Sequence, residues 1–392
     1  MVKKSNLKMS EFFLEVFTEE IPANLQNDAR NSLFDNFKKL FEEKKIKYKN
    51  SKVFSVPNRL VILFDGLSKQ IISEKEEKRG PSTKSPKEAL QEYNESEFRI
   101  KEVLRETGRR GIDIPASRII PKVPYGECFQ NWEGALNYAV DVDQISTAEY
   151  WNTKDTQPSF IVKEGLGSLV GTLNNNFPIA LNTSVLNIDY SGSGVKVITS
   201  NGTILAKACI CTVSIGVLKS EKIKFTPTLS NNVQKALDGI QMGLLVKIPL
   251  LFDGSRLGFT ENSFVQFVIA PENIGSGCYF LAWPTGHDYI VGFIGGRFAW
   301  NLSKQGGDEI VEYALSKLQS LYGGNIRKHF LKGVASDWAH NPLTRGSYSA
   351  VKPGCYGARE LLSKPIAEKL IFAGAVSYTH LRAHETPEHR VW

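Results

Sequence analysis

VASDWAHNPLTRGSYSAVKPGCYGARELLSKPIAEKLIFAGA, Val334 to Ala375, decides how this chain is read. Gly333 to Trp338 is a short apolar run, and Asn341-Pro342 ends it, because proline has no backbone donor and restricts the residue before it. A compact loop is expected next. Gly346, Ser347, Tyr348 and Ser349 set one aromatic among small residues, which suits a backbone that approaches something large and flat. After Pro353-Gly354 a short helical segment is expected. Leu370 to Ala373 then reads as a buried strand ending on Gly374, and a strand that ends on glycine is a usual place to meet a phosphate.

This segment resembles the C-terminal part of the flavin-containing amine oxidases, the family of monoamine oxidases, polyamine oxidases and histone lysine demethylases. Their pattern of W, DP, RGSYS, PPG and FAGE is nearly all present. Two departures stand out. Asn341 replaces the aspartate of DP, and Ala375 replaces the glutamate after FAG, which in the family holds the ribityl-pyrophosphate end of the flavin. The family would continue with a helix carrying a second cage aromatic. Val376 to Thr386, VSYTHLRAHET, instead looks like the translation of a transposon-based sequencing adapter, so residues 376–392 are expected to be an artefactual tail outside the fold. His380, His384 and Glu385 lie in that tail and are not in HExxH order, so no metal site is expected there.

The composition, 42% hydrophobic and 23% charged over 392 residues, is that of an ordinary globular protein with room for two or three domains. No apolar run approaches the roughly 18 residues of a membrane span, and the N-terminus has no signal-peptide core, so a cytoplasmic protein without a membrane partner is expected. Five irregularly spaced cysteines argue against a disulfide framework. Cys209 and Cys211 share one face of an apolar run and read as core. Residues 1–91 hold 18 basic and 13 acidic side chains, most of the net charge of +7. That bias permits a nucleic-acid partner, and a solvated face explains it equally.

Near the N-terminus, Phe12 to Phe17 reads as a strand and Thr18 to Pro22 as a turn into a helix, along which Leu25, Ala29, Leu33, Phe37, Leu40 and Phe41 form an apolar stripe. Lys52 to Val56 and Arg59 to Phe64 read as strands, and Lys75 to Lys87 as a loop. FTEEIP, VPNRL and KRGP, in that order, resemble the N-terminus of the β subunit of the bacterial two-subunit glycyl-tRNA synthetase. The resemblance implies tRNA and the synthetase α subunit as partners of residues 1–91. No class II catalytic motif accompanies it, so this piece alone should not aminoacylate. Glu92 to Arg110 is a charged helical stretch of different character, which places a junction near Gln91. Pro124 to Thr153 again resembles bacterial amine oxidases. The expected division is therefore 1–91 synthetase-like, 92–375 amine-oxidase-like and 376–392 tail, with a chimera made during assembly as one origin of such a fusion.

Gly165-Leu-Gly-Ser-Leu-Val-Gly171 invites a dinucleotide-binding reading, but the third glycine is misplaced and Asp189 does not close the next strand. In the family this glycine pair starts a later helix, and the true GxGxxG fingerprint is not found in this chain. Val195 to Thr199 and Ile204 to Val213 alternate like a hairpin about Asn201-Gly202. Gln241 to Asp253 puts Lys247 alone in an apolar strand, where an unpaired ammonium is costly. From the residues alone it is a snorkelling surface lysine. The resemblance makes it the lysine that holds a water against flavin N5. Strands at Val265 to Ala270, Cys278 to Trp283 and Tyr289 to Phe293, then a helix from Asp308 to Leu321, are expected to form an antiparallel substrate-domain sheet with its covering helix. Phe264, Phe267, Trp283 and Phe298 are pocket candidates, although strand aromatics are more often core.

The fold class expected is α/β (α+β): an N-terminal strand-helix-strand unit followed by a partial FAD-linked amine oxidase fold without the N-terminal Rossmann fingerprint. The resemblance implies oxidation of a small-molecule amine to an imine, with hydride transfer to flavin and reoxidation by oxygen. It assigns catalytic positions to Lys247 and Tyr348, and cofactor contacts to Val185, Trp338, Gly346, Ser347 and Gly374. FAD would be non-covalent, because Ser347 stands where monoamine oxidases attach flavin through cysteine and Cys355 is not equivalent. Without the nucleotide-binding unit and the last helix, the chain is expected to be inactive as it stands. The competing expectations are a tRNA-binding synthetase fragment and an assembly product with no single function.

Overall fold

The computed structural model describes residues 9–17, 23–43, 46–56, 59–68, 87–153, 161–172, 178–265, 269 and 271–375. The turn expected at 18–22, the loop at 75–86, Phe267 and the 376–392 tail lie outside these residues. The chain divides into two compact units, Met1–Lys78 and Arg79–Trp392. Gln91, where the sequence places a junction, sits inside a continuous helix, Lys87–Arg109, well within the second unit.

In the first unit, strands β1 (Met9–Phe17), β2 (Asn50–Val56) and β3 (Arg59–Ser68) pair antiparallel in the order β1-β3-β2, with helix α1 (Ala23–Glu43) joining the first two in sequence. Alternation along β2, exposed then half-buried at every step, is what a one-sided sheet requires. Phe41, Ile62 and Phe64 form the core, with Phe12, Leu33, Phe34 and Phe37 packed on it. The Phe41 and Phe64 rings lie 4.6 Å apart. The apolar stripe of α1 is narrower than its spacing implies, because Leu25 and Leu40 point to solvent.

The second unit opens with α2 (Lys87–Arg109) and α3 (Gly126–Asn131). A π-helix, Trp132–Tyr138, continues α3, and α4 (Thr147–Asn152) and α5 (Leu166–Thr172) follow. Strand β4 (Val185–Asp189) pairs antiparallel with β5 (Val195–Thr199), which forms the expected hairpin about Asn201-Gly202 with β6 (Gly202–Ala206). The hairpin is shorter than the apolar pattern implies. After Ala206 the chain leaves the sheet, and β7 (Cys209–Cys211) pairs parallel with Leu370–Phe372 instead. Cys209 and Cys211 face a core cluster while Ile210 points outward, as the period of two demands. Next come α6 (Ile215–Lys219), β8 (Lys224–Thr226) beside β4, α7 (Asn231–Asp238) and β9 (Ile240–Met242).

The five-stranded antiparallel sheet runs β11-β12-β13-β10-β14, from β10 (Leu245–Phe252), β11 (Ser263–Val265), β12 (Tyr279–Ala282), β13 (Tyr289–Gly295) and β14 (Phe330–Gly333). Helices α8 (Gly296–Ser303), α9 (Gly307–Tyr322) and α10 (Ile326–His329) lie between β13 and β14 in sequence. Val246, Ile248 and Leu250 pack into one cluster with Ile310, Ala314 and Leu318 of α9, so the covering helix is where the sequence places it. Trp283 belongs to that core, fully buried, and is not a pocket wall. Strand β15 (Ser349–Val351) pairs with β9, α11 (Ala358–Ser363) follows, and β16 (Leu370–Phe372) ends at the glycine loop. The second unit is thus a mixed α/β fold built mostly on antiparallel sheets. Among the described residues no helix is long and apolar enough to cross a membrane.

Candidate functional site

Consecutive residues of β10 face opposite sides of the sheet. Val246 and Ile248 belong to the cluster under α9, whereas Leu245 belongs to another with Leu136, Ala139, Tyr279, Leu281, Val291 and Phe293. Lys247 shares the parity of Leu245 and lies opposite Phe293 across the ladder. It is therefore a lysine on an apolar sheet face, and it is 5% exposed. That burial removes the surface reading of this residue. Its backbone is pinned on both sides, since its N–H donates to Ser336 Oγ and its carbonyl accepts from the Ser336 N–H, each at 2.9 Å.

Tyr348 packs against the same cluster as Leu245. Its hydroxyl donates to the Leu136 carbonyl at 2.5 Å. Leu136 lies in the π-helix, a wide-turned form that recurs at functional sites. Two glycines let this helix rest on the sheet: a Cβ on Gly295 would stand 1.7 Å from the Ala135 carbonyl oxygen, and one on Gly243 would stand 2.7 Å from Ala139 Cβ. The Leu244 N–H donates to the Ala139 carbonyl at 2.9 Å and closes the join. Trp132 of the same helix meets Tyr279 at 5.4 Å between ring centroids. Lys247, Tyr348, Tyr279 and Trp132 thus belong to one sheet face.

The other expected residues are placed differently. Trp338 packs against the cluster on the opposite side of the sheet from Tyr348, and its carbonyl accepts from the Gly346 N–H at 2.8 Å. Gly346 has φ +132, and a Cβ there would lie 2.9 Å from Met242 Cβ, so its smallness serves contact with the chain's own β9. The Ser347 hydroxyl brackets Leu245, accepting from its N–H and donating to its carbonyl, both at 2.8 Å. The small residues beside Tyr348 are in large part spent on backbone packing rather than on an open flat slot. Val185 begins β4, half-buried, next to an irregularity in its pairing with β5. Gly374 follows the parallel pair β7 and β16 with φ +88, and a Cβ there would meet just the Thr212 carbonyl oxygen at 3.8 Å. Space is open at the carboxyl ends of two parallel strands, where such folds hold phosphates.

Charged groups near the site are engaged. Asp141, after the π-helix, reaches the first turn of α8 and pairs with Arg297, and burial of its carboxylate raises its pKa despite that arginine. Burial likewise raises the Cys211 thiol to about 11. Glu149 and Arg359 form a buried ion pair at 2.7 Å. The sequence reading passed over both, because an isolated charge in a short segment looks like a solvated face. It also passed over Leu136 and Tyr279. Trp132, alone before an apolar run, was the available signal for that helix.

A family model, flavin containing amine oxidoreductase, matches residues 13–386. The chain belongs to that family. It is 30% identical over 237 residues to lysine-specific histone demethylase 1 homolog 2 of Arabidopsis thaliana, covering 58% of this chain and 32% of the relative. It is 32% identical over 252 residues to polyamine oxidase 4 of Oryza sativa subsp. japonica, covering 62% of this chain and 50% of the relative. The chain thus spans half or less of the length of these relatives. As a flavin amine oxidoreductase family member it is expected to use a flavin, and the open backbone at Gly374 with the buried lysine on the Tyr348 face fits one. The family match begins at residue 13 and runs through the synthetase-like motifs. Neither relative is a synthetase, and the tRNA and synthetase α subunit partners gain no support. The match also runs into the stretch read as adapter, which lies outside the described residues.

Proposed function

We propose that this chain forms a FAD-dependent amine oxidoreductase site that holds its flavin non-covalently. The observation that carries the reading is Lys247, a lysine buried on the apolar sheet face that also bears Tyr348. Bound flavin would supply the acceptor for the hydride leaving the carbon next to a neutral amine, and oxygen would restore it. Lys247 would hold a water at that face. Tyr348, its hydroxyl spent on the Leu136 carbonyl, offers its ring as a wall for the amine. Gly374 leaves its backbone open to the cofactor and the Val185 backbone is assigned beside it, whereas Trp338 packs on the other side of the sheet from Tyr348 and is not used at this face. Ser347 has no thiol, and its hydroxyl is engaged with Leu245, which supports the non-covalent reading.

The relatives' names, a polyamine oxidase and a histone demethylase, support an amine as the substrate class. Five free cysteines, with burial raising several of their thiols, suit a reducing compartment, and we place the protein in the cytoplasm. Asn341 and Ala375 remove two carboxylates of the family pattern, and we expect flavin to be held too weakly for turnover.

The test is the flavin absorbance band retained by full-length protein after excess FAD is removed. A weak band is expected in this chain and a stronger one in Ala375→Glu, with Lys247→Met matching the parent. If neither the chain nor Ala375→Glu retains flavin at any FAD concentration, the reading fails.

A further inference from the structure

Arg359 is buried on α11, 7% exposed, and takes no part in the chemistry above. Its Nε donates to Glu149 Oε1 of α4 at 2.7 Å, in an ion pair whose side chains are 9% and 8% exposed. Its Nη1 donates to Ser349 Oγ at 2.9 Å and to the Ala375 carbonyl, and its Nη2 donates to the Ser349 carbonyl at 2.9 Å. The Ser349 hydroxyl donates to the same Ala375 carbonyl. Glu149 is fixed in turn, because its N–H donates to Ser146 Oγ, the cap of α4, at 3.0 Å.

A buried ion pair is a poor way to gain stability, since desolvation consumes most of the attraction and apolar residues of similar volume do as well. A planar guanidinium with its donors engaged does something an apolar pair cannot: it fixes several acceptors at set directions. The acceptors here are informative. Ser349 directly follows Tyr348, and Ala375 directly follows Gly374. One side chain ties the residue after the aromatic wall to the residue after the open glycine.

We propose that Arg359, paired with Glu149, is a positioning residue that sets the separation of the Tyr348–Ser349 and Gly374–Ala375 segments, and through them the binding of flavin. The inference rests on the flavin reading for its second half and on hydrogen bonds alone for its first. Arg359→Lys keeps a cation for Glu149 and loses the fork; Arg359→Met loses both; Glu149→Gln keeps the arginine and loses its charge partner.

Two measurements on the full chain decide it: hydrogen exchange of peptides covering 346–351 and 370–375, and FAD titration followed by flavin fluorescence. Both Arg359 variants are expected to speed exchange in those two peptides ahead of the rest of the chain and to weaken FAD about tenfold, as the loss of a buried charged hydrogen bond implies. Glu149→Gln should move both readouts in the same direction. Should Arg359→Met fail to fold, Arg359→Lys decides alone. Unchanged exchange in Arg359→Lys, exchange raised evenly over the whole chain, or FAD bound as tightly as by the parent would overturn the proposal. If neither the parent nor Ala375→Glu takes FAD, the flavin reading has failed separately, and the local exchange alone supports or overturns the positioning role.

Discussion

Lys247 and Tyr348 show how much a single buried polar group can be asked to do. A lysine buried on an apolar sheet face carries a desolvation cost that a methionine of similar length does not. Lys247→Met should therefore keep or slightly raise the melting temperature; a drop of many degrees would make the lysine structural. Tyr348→Phe should act the other way. It leaves the buried Leu136 carbonyl without its donor, at a cost of about 1 to 3 kcal/mol readable in a urea titration. Asp141 adds a pH signature. Its folded pKa lies above the unfolded value because burial outweighs Arg297, so the folded state prefers the protonated acid. Its contribution to stability is then greatest at low pH and falls as pH rises through the window from the unfolded to the folded value. The stability of Asp141→Asn relative to the parent should therefore rise with pH across that window. A relative stability that falls across it would show that Arg297 governs the group instead.

At the scale of elements, the join between the π-helix and the sheet carries the site, and it depends on an absent side chain. Gly295→Ala would place a methyl 1.7 Å from the Ala135 carbonyl oxygen, so the helix or the end of β13 must move. We expect a loss of about 3 kcal/mol or more in denaturant unfolding. Gly171→Ala is the control: it sits in α5 with nothing near its Cβ position and should be neutral or stabilising by up to about 1 kcal/mol. Equal losses in the two variants would refute the close-approach argument. This join was not legible in the sequence, because a π-turn leaves no periodicity distinct from an ordinary helix, and Gly295 closes an apolar run like many loop glycines. What was legible was local. Alternation in β10 and β13, the hairpin turn at Asn201-Gly202 and the stripe of α9 each depend on near neighbours. The pairing of β7 with β16 spans most of the second unit and has no local cause. Nor does the Arg359–Glu149 pair, whose partners are 210 positions apart in sequence.

For the whole molecule, the motifs placed a junction at Gln91, whereas compactness divides the chain after Lys78 and α2 runs unbroken through Gln91. The cores obey the second division. Phe41, Ile62 and Phe64 draw their neighbours from within the first unit, while the four remaining clusters contain residues from Ile100 onward alone. The second unit also carries apolar side chains into solvent, Leu181 and Leu205 at 76% and 77% exposure and Ile210 at 64%. Such exposure favours association, so light scattering of the full chain should rise with protein concentration. Separate cores have a sharper consequence. Cooperative melting spreads through shared buried contacts, and two cores without common members should melt independently. Scanning calorimetry should then resolve two transitions. The smaller should carry about 55 kcal/mol, the enthalpy ordinary for the 78 residues of Met1–Lys78. Phe64→Ala should lower that transition alone, because Phe64 packs against Phe12, Phe34, Phe41 and Tyr48 of the same unit. A single transition that shifts as one in Phe64→Ala would mean that the units fold as one body and that the division after Lys78 has no energetic content.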